Sequence, residues 1–133
     1  MIEHETRIRV RYAETDQMRF AHHSHYIVWF EFARIEMLNA IGLPYAELEA
    51  NGYYIPVLEV GVKFKHPAHF DEELRIVVRM AEKPKATFFL EYDVYNAQNI
   101  KISTGYSRHS FMNAKGRSIK PPKQFTEITG RYF

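Results

Sequence analysis

The chain has 133 residues, of which 46% are hydrophobic, 15% aromatic and 26% charged, a balance that fits one folded domain around one core. Eighteen Lys and Arg stand against 16 Asp and Glu, and the resulting charge of +2 is too weak for the dense basic surface that nucleic acid requires. The absence of cysteine excludes disulfides and thiolate chemistry. The first ten residues are charged and lack the apolar stretch of a signal peptide, and no run approaches the ~18 apolar residues of a membrane span. A cytoplasmic protein is the expectation.

Residues 6–12 alternate Arg7, Arg9 and Arg11 with Ile8, Val10 and Tyr12, a period of two that predicts a strand with one buried face. Residues 13–23 are polar and irregular and predict a loop. From 25 to 41 the pattern becomes helical: Tyr26, Phe30, Ala33, Met37 and Ile41 recur at steps of four and three, and Val28, Trp29, Phe32, Ile35 and Leu38 widen the stripe. Only Glu31, Arg34, Glu36 and Asn39 interrupt it, so this helix should be largely buried. Ser24 is the expected N-cap, and Gly42 followed by Pro44 is the stop. A short helix over Tyr45–Ala50 follows, ended by Gly52.

Four strands are predicted next. Leu58, Val60, Val62 and Phe64 alternate with polar residues or glycine, as do Leu74, Ile76, Val78 and Met80 with Arg75 and Arg79 opposite. Phe88, Leu90, Tyr92 and Val94 make a third series, and residues 100–111 a fourth, each followed by an Asn-rich turn. Pro121 and Pro122 should stop further regular pairing. One sheet and one long helix make a two-layer α+β domain, and short connections imply antiparallel neighbours. A single sheet covers one side of the helix and leaves strand edges open, so a homodimer at least is expected.

The densest polar cluster, Glu14, Thr15, Asp16, Gln17, Arg19, His22, His23 and His25, lies just before the long helix. A carboxylate there sits near unpaired backbone N–H groups and the positive end of the helix dipole. Such donors can hold an oxyanion while the carboxylate acts as base or nucleophile on an acyl compound; the plainer alternative is that Asp16 only caps a turn or the helix. His22 and His25, and His66 and His69, are three residues apart, but no two histidines take four-residue spacing on the helix. They read as solvated side chains rather than metal ligands, and no cofactor is expected. Ser110 lacks the glycines of a nucleophile elbow, and the scattered glycines make no phosphate-cradling loop. Lys63 and Lys65, with Arg75, Arg79, Lys83 and Lys85, fall on strand faces and turns; some are placed to meet the phosphates of a nucleotide-bearing substrate.

The run Tyr12-Ala13-Glu14-Thr15-Asp16-Gln17-Met18, followed by His23, Tyr26, Trp29, Phe30 and Glu31, resembles the signature of the 4-hydroxybenzoyl-CoA thioesterase-like family of hotdog proteins. The similarity continues through residues 43–48, Pro56-Val57, Phe64-Lys65 and residues 71–74, to about Pro122. It implies one hotdog domain over residues 1–133, in which an antiparallel sheet wraps a long helix and two subunits share a continuous sheet. It also implies acyl-CoA substrates, dimers or tetramers with sites at the dimer interface, and no metal. The family's catalytic aspartate maps to Asp16 and its carbonyl-polarising main-chain N–H to His23. Ser24, Tyr26, Lys63 and Lys65 are carried as substrate-binding positions, as are Arg19, in place of the family's glycine, and His25, in place of its asparagine. His22 stands where tyrosine or tryptophan is common. A hydratase or dehydratase on acyl thioesters, and a non-catalytic acyl-thioester binding module, are the alternative readings.

Overall fold

The computed structural model describes residues 1–133. Strand β1 (Ile2–Arg9) leads through a single 3-10 turn, Tyr12–Glu14, and a loop to the long helix α1 (Ser24–Ala40) and the short helix α2 (Tyr45–Ala50). Strands β2 (Val57–Phe64), β3 (Glu73–Met80), β4 (Phe88–Tyr95) and β5 (Lys101–His109) follow. A small ribbon, β6 (Phe111–Met112) with β7 (Ser118–Ile119), and helix α3 (Lys123–Gly130) close the chain. The main sheet has the order β1-β3-β4-β5-β2, and every neighbouring pair is antiparallel. The α+β hotdog architecture expected from the sequence is thus the one observed.

Alternation decides which side of the sheet meets α1. Leu74, Ile76, Val78 and Met80 of β3, and Phe88, Leu90, Tyr92 and Val94 of β4, are all buried. Arg79 and Glu91 pair across the opposite face. From the helix, Tyr26, Trp29, Phe30, Ala33, Met37 and Leu38 complete the core. Phe30 stacks on Tyr92 with ring centroids 4.2 Å apart, and a Cβ at Gly105 would collide with the Phe30 ring, so this glycine lets α1 lie close to β5. The helix stops at Gly42, whose φ of 89° suits glycine: Gly42 N–H bonds Asn39 O and Leu43 N–H bonds Leu38 O, at 3.1 and 2.8 Å.

Several expectations are corrected. The first strand begins at Ile2 and ends at Arg9, because its early residues pair in unbroken register with β3 from Ile2↔Met80 to Arg9↔Glu73. His4 and Thr6, at weakly apolar positions, conceal that start. Tyr12, expected on the buried face, is 73% exposed in the 3-10 turn. Ser24 is the first helical residue rather than the cap; His23 holds the cap position without a side-chain bond to it. Arg34 is buried, whereas Ile27, Val28 and Phe32 are exposed. One face of α1 is therefore uncovered. The predicted fourth strand breaks at Ser110 into β5 and β6. Strands β2 and β3 are consecutive but lie at different places in the sheet, so their connection crosses it instead of making a hairpin. Pairing does stop at the two prolines, but α3 then starts with Pro122 as its cap, and Phe125 packs on Phe88 and Phe111. The fixed φ of proline suits a helix start as well as a strand stop.

Candidate active site

The loop between the 3-10 turn and α1 folds back on itself. Thr15 and Ala21 form a bridge, Asp16 N–H bonds Phe20 O at 2.9 Å, and Arg19 N–H bonds Asp16 O at 2.9 Å. One oxygen of the Asp16 carboxylate, Oδ1, accepts from Met18 N–H at 2.9 Å, a turn that aspartate favours. Arg19 has a φ of 65°, the left-handed region that a side chain occupies at a cost. This is the position at which the resembled signature has glycine. Ala21 N–H then bonds Ala68 O and Phe70 N–H bonds Arg19 O, which fastens the loop to the connection between β2 and β3.

A cleft of about 370 Å³ opens between this loop, the start of α1 and the end of β2, and Asp16, Phe20, Ala21, His22, His23, Tyr26, Phe64, Lys65, His66 and Pro67 line it. Asp16 is exposed to it. At the head of α1, His25 N–H bonds His22 O at 3.1 Å, Tyr26 N–H bonds His23 O at 3.3 Å, and Ser24 N–H approaches His22 Nδ1 at 3.3 Å. The His23 N–H finds no acceptor in the chain. A free backbone donor at a helix start, on the same cleft as a carboxylate that keeps one oxygen uncommitted, matches the electrostatic demand of a carbonyl turning into an oxyanion. Tyr26 stands edge-on to Phe64 at 4.9 Å, and burial pushes its hydroxyl pKa up.

The structure brings four of the eight sequence-named positions into this cleft: Asp16, His23, Tyr26 and Lys65. Arg19, Ser24, His25 and Lys63 are outside its lining in the single chain. Ser24 Oγ lies 2.9 Å from His22 Nδ1, and the His25 ring is 6.4 Å from that of His22. Lys63 instead borders a depression of about 320 Å³ on the outer face of the sheet. Phe64, His66 and Phe20 line the cleft without having been named as site residues. Phe64 carried a signal, as the apolar end of a predicted strand, but only the crossing connection brings it beside the helix. His22, His23 and His66 share the cleft, and nowhere do three His, Asp or Glu side chains gather as a ligand set. No helix is long and apolar enough to cross a membrane.

Comparison with known proteins bears on the family and the fold. The family model described as thioesterase-like superfamily matches residues 10–128. The acyl-CoA thioester hydrolase YbgC of Escherichia coli O157:H7 is 27% identical over 96 residues, covering 72% of each chain. Among solved structures, the hypothetical protein TT1821 from Thermus thermophilus superposes with a TM-score of 0.91 at 37% identity, over 98% of both chains. The DHNA-CoA thioesterase of Staphylococcus aureus does so with a TM-score of 0.94 at 25% identity, over 99% of this chain and 91% of that one. A 4-hydroxybenzoyl-CoA thioesterase, at 16% identity and a TM-score of 0.86, shares the fold. The chain belongs to the thioesterase-like superfamily and has the hotdog fold.

Proposed function

We propose that the chain hydrolyses acyl-CoA thioesters to the free acid and CoA, with Asp16 as the catalytic carboxylate and the His23 main-chain N–H as the oxyanion donor. The observation that carries this reading is that one cleft is lined by an exposed carboxylate and by His23, whose N–H at the head of α1 has no partner in the chain. The thioester carbonyl oxygen would point at His23 N–H. Asp16 takes a proton from water as the water oxygen bonds to the carbonyl carbon; the C–S bond then breaks, and CoA leaves as a thiolate that takes up the proton. Lys65, exposed at the cleft, is suited to the phosphates of CoA, and Phe64 and Tyr26 to the acyl group.

The working unit in this proposal is a homodimer or a tetramer built from it. Strand β2 has a partner only on its β5 side, and Val57, Leu58 and Phe64 are 51%, 50% and 52% exposed. Together with Ile27, Val28 and Phe32 on α1, they form an apolar margin that a second copy would cover by strand pairing. That pairing would place the cleft, through Phe64, beside the junction.

Asp16→Asn tests the mechanism, because it keeps size and one acceptor oxygen but removes charge and basicity. Single-turnover hydrolysis of acyl-CoA substrates should slow by about a hundredfold or more, with the loss in kcat rather than KM. Thermal stability should hold, since Asn serves turns nearly as well as Asp. A variant with unchanged rate would leave Asp16 a turn residue only.

A further inference from the structure

A second carboxylate, two residues before Asp16, takes no part in the chemistry above and lines no part of the cleft. Glu14 is 3% exposed. Its Oε1 accepts from Arg11 N–H at 2.8 Å, and its Oε2 accepts from the indole N–H of Trp29 at 2.9 Å, with Arg11 Nη2 at 3.4 Å. Its main-chain carbonyl accepts from His22 N–H at 2.8 Å. A buried carboxylate costs free energy unless it is paired and hydrogen-bonded, and this one is so well supplied with donors that it titrates below the usual glutamate range despite its burial. It is therefore an ion at neutral pH, held by donors from two separate elements.

Those two elements are the ones whose relative placement matters. The contacts inside the Asp16 loop shape the loop itself, and its bonds to Ala68 and Phe70 tie it to the β2–β3 connection. The bonds made by Glu14 reach the helix: Trp29 lies in the second turn of α1, buried and packed on Tyr26 at 4.7 Å, and His22 immediately precedes the free N–H of His23. We infer that Glu14 is a positioning residue, which through Trp29 and His22 fixes the distance between the Asp16 carboxylate and the His23 N–H. This inference rests on the assignment of those two groups as base and oxyanion donor. A reaction that needs both groups on one carbonyl is sensitive to misplacements of about 1 Å, which can cost on the order of a hundredfold in rate.

Glu14→Gln is the direct test. The amide oxygen can still accept from Arg11 N–H, but the amide NH2 then faces the indole N–H, donor against donor. Expected are a kcat on acyl-CoA lowered by about ten- to a hundredfold with KM little changed, and partial recovery of kcat in Glu14→Gln/Trp29→Phe, where the opposing donor is gone. Amide hydrogen exchange supplies a readout independent of turnover. In Glu14→Gln the amides of Asp16, Arg19 and His22 should exchange at least about tenfold faster while those of β3 and β4 keep the parent rate, as local opening requires. A folded Glu14→Gln with parental kcat and parental loop exchange overturns the inference. So does a uniform rise in exchange across the sheet, which would make Glu14 a general stability residue. A parent protein without thioester hydrolysis defeats the proposed activity instead, and the exchange comparison still decides the role of Glu14.

Discussion

Two polar clusters lie against α1, and both are built with histidine but serve opposite ends. At the head of the helix, Asp16, His22, His23 and His66 surround an open cleft. Farther along, Arg34 of the helix meets His109, Ser107 and Tyr92 of the sheet in the interior. There His109 Nε2 is 2.7 Å from Ser107 Oγ, Ser107 Oγ is 2.7 Å from Tyr92 OH, and His109 Nδ1 is within 3.3 Å of Arg34 Nη1 and 3.2 Å of Pro56 O. Distances alone would make the buried Ser–His pair look the more catalytic of the two. Access reverses that order: Ser107 is 3% exposed and His109 1%, so no substrate reaches them, and no fully buried polar side-chain atom there lacks a partner. The cleft cluster leaves a carboxylate oxygen and a backbone N–H unspent. The proposed function accordingly assigns the chemistry to the groups whose bonding the fold leaves incomplete.

The contrast is sharpest in its response to pH. Burial first, and the charge of Arg34 second, push the His109 imidazole down to about 3 from an ordinary value of 6.5. The unfolded chain takes up a proton below pH 6.5 that the native chain refuses, so this contribution to stability is whole above pH 6.5 and is lost as pH falls toward 3. The slope is up to about 1.4 kcal/mol per pH unit. Glu14, titrating below its ordinary 4.5, adds a loss of the same sign only under pH 4.5. Urea unfolding at pH 7, 6 and 5 should show the decline in the parent and a flat line in His109→Gln. The same slope in both would show that His109 is not the group responsible.

A smaller effect should separate the clusters by function. Ser107→Ala orphans Tyr92 OH and His109 Nε2 at once, and should cost about 1–3 kcal/mol of stability. Turnover per folded molecule should stay at the parental level, since the buried cluster serves the fold. Chemical denaturation paired with active-site-normalised rates measures both quantities, and a fall in kcat would mean that the interior network is coupled to the cleft.

The same division explains what could be read from the chain. Alternation in β3 and β4 and the Tyr26, Phe30, Ala33 and Met37 positions of α1 report burial directly, and those elements appear where the pattern puts them. Asp16 stands out as a candidate because the chemistry of a carboxylate before a helix is local, and the structure places it in the cleft. The burial of Arg34 was not: it depends on the His109 ring nitrogen that β5 brings within 3.3 Å of its guanidinium, and a helical wheel sees only a charge. Phe64 and His66 were equally out of reach, since they join the cleft only because β2 and β3 are separated in the sheet. Glu14 stood inside the polar cluster without a role, for its partner Trp29 is 15 residues away on the helix face.

The smallest effect concerns the rim of the cleft and distinguishes two lysines that the sequence could not tell apart. Lys65 lines the cleft beside Asp16, whereas Lys63 is two residues earlier on the same strand direction and borders the depression on the outer sheet face. Both are exposed, so a contact between either ammonium and a CoA phosphate acts through water and is worth at most about 1 kcal/mol, or roughly a fivefold change in affinity. Lys65→Ala should raise KM for an acyl-CoA by about that factor with kcat unchanged, because the phosphates are bound equally in the ground and transition states. Raising ionic strength should shrink the difference, as the Debye length falls to about 3 Å at 1 M salt. Lys63→Ala should leave KM where it was. Steady-state kinetics of both variants at low and high salt makes the measurement, and an equal rise in KM for Lys63→Ala would place the nucleotide across the strand edge, reaching from the cleft toward the outer face.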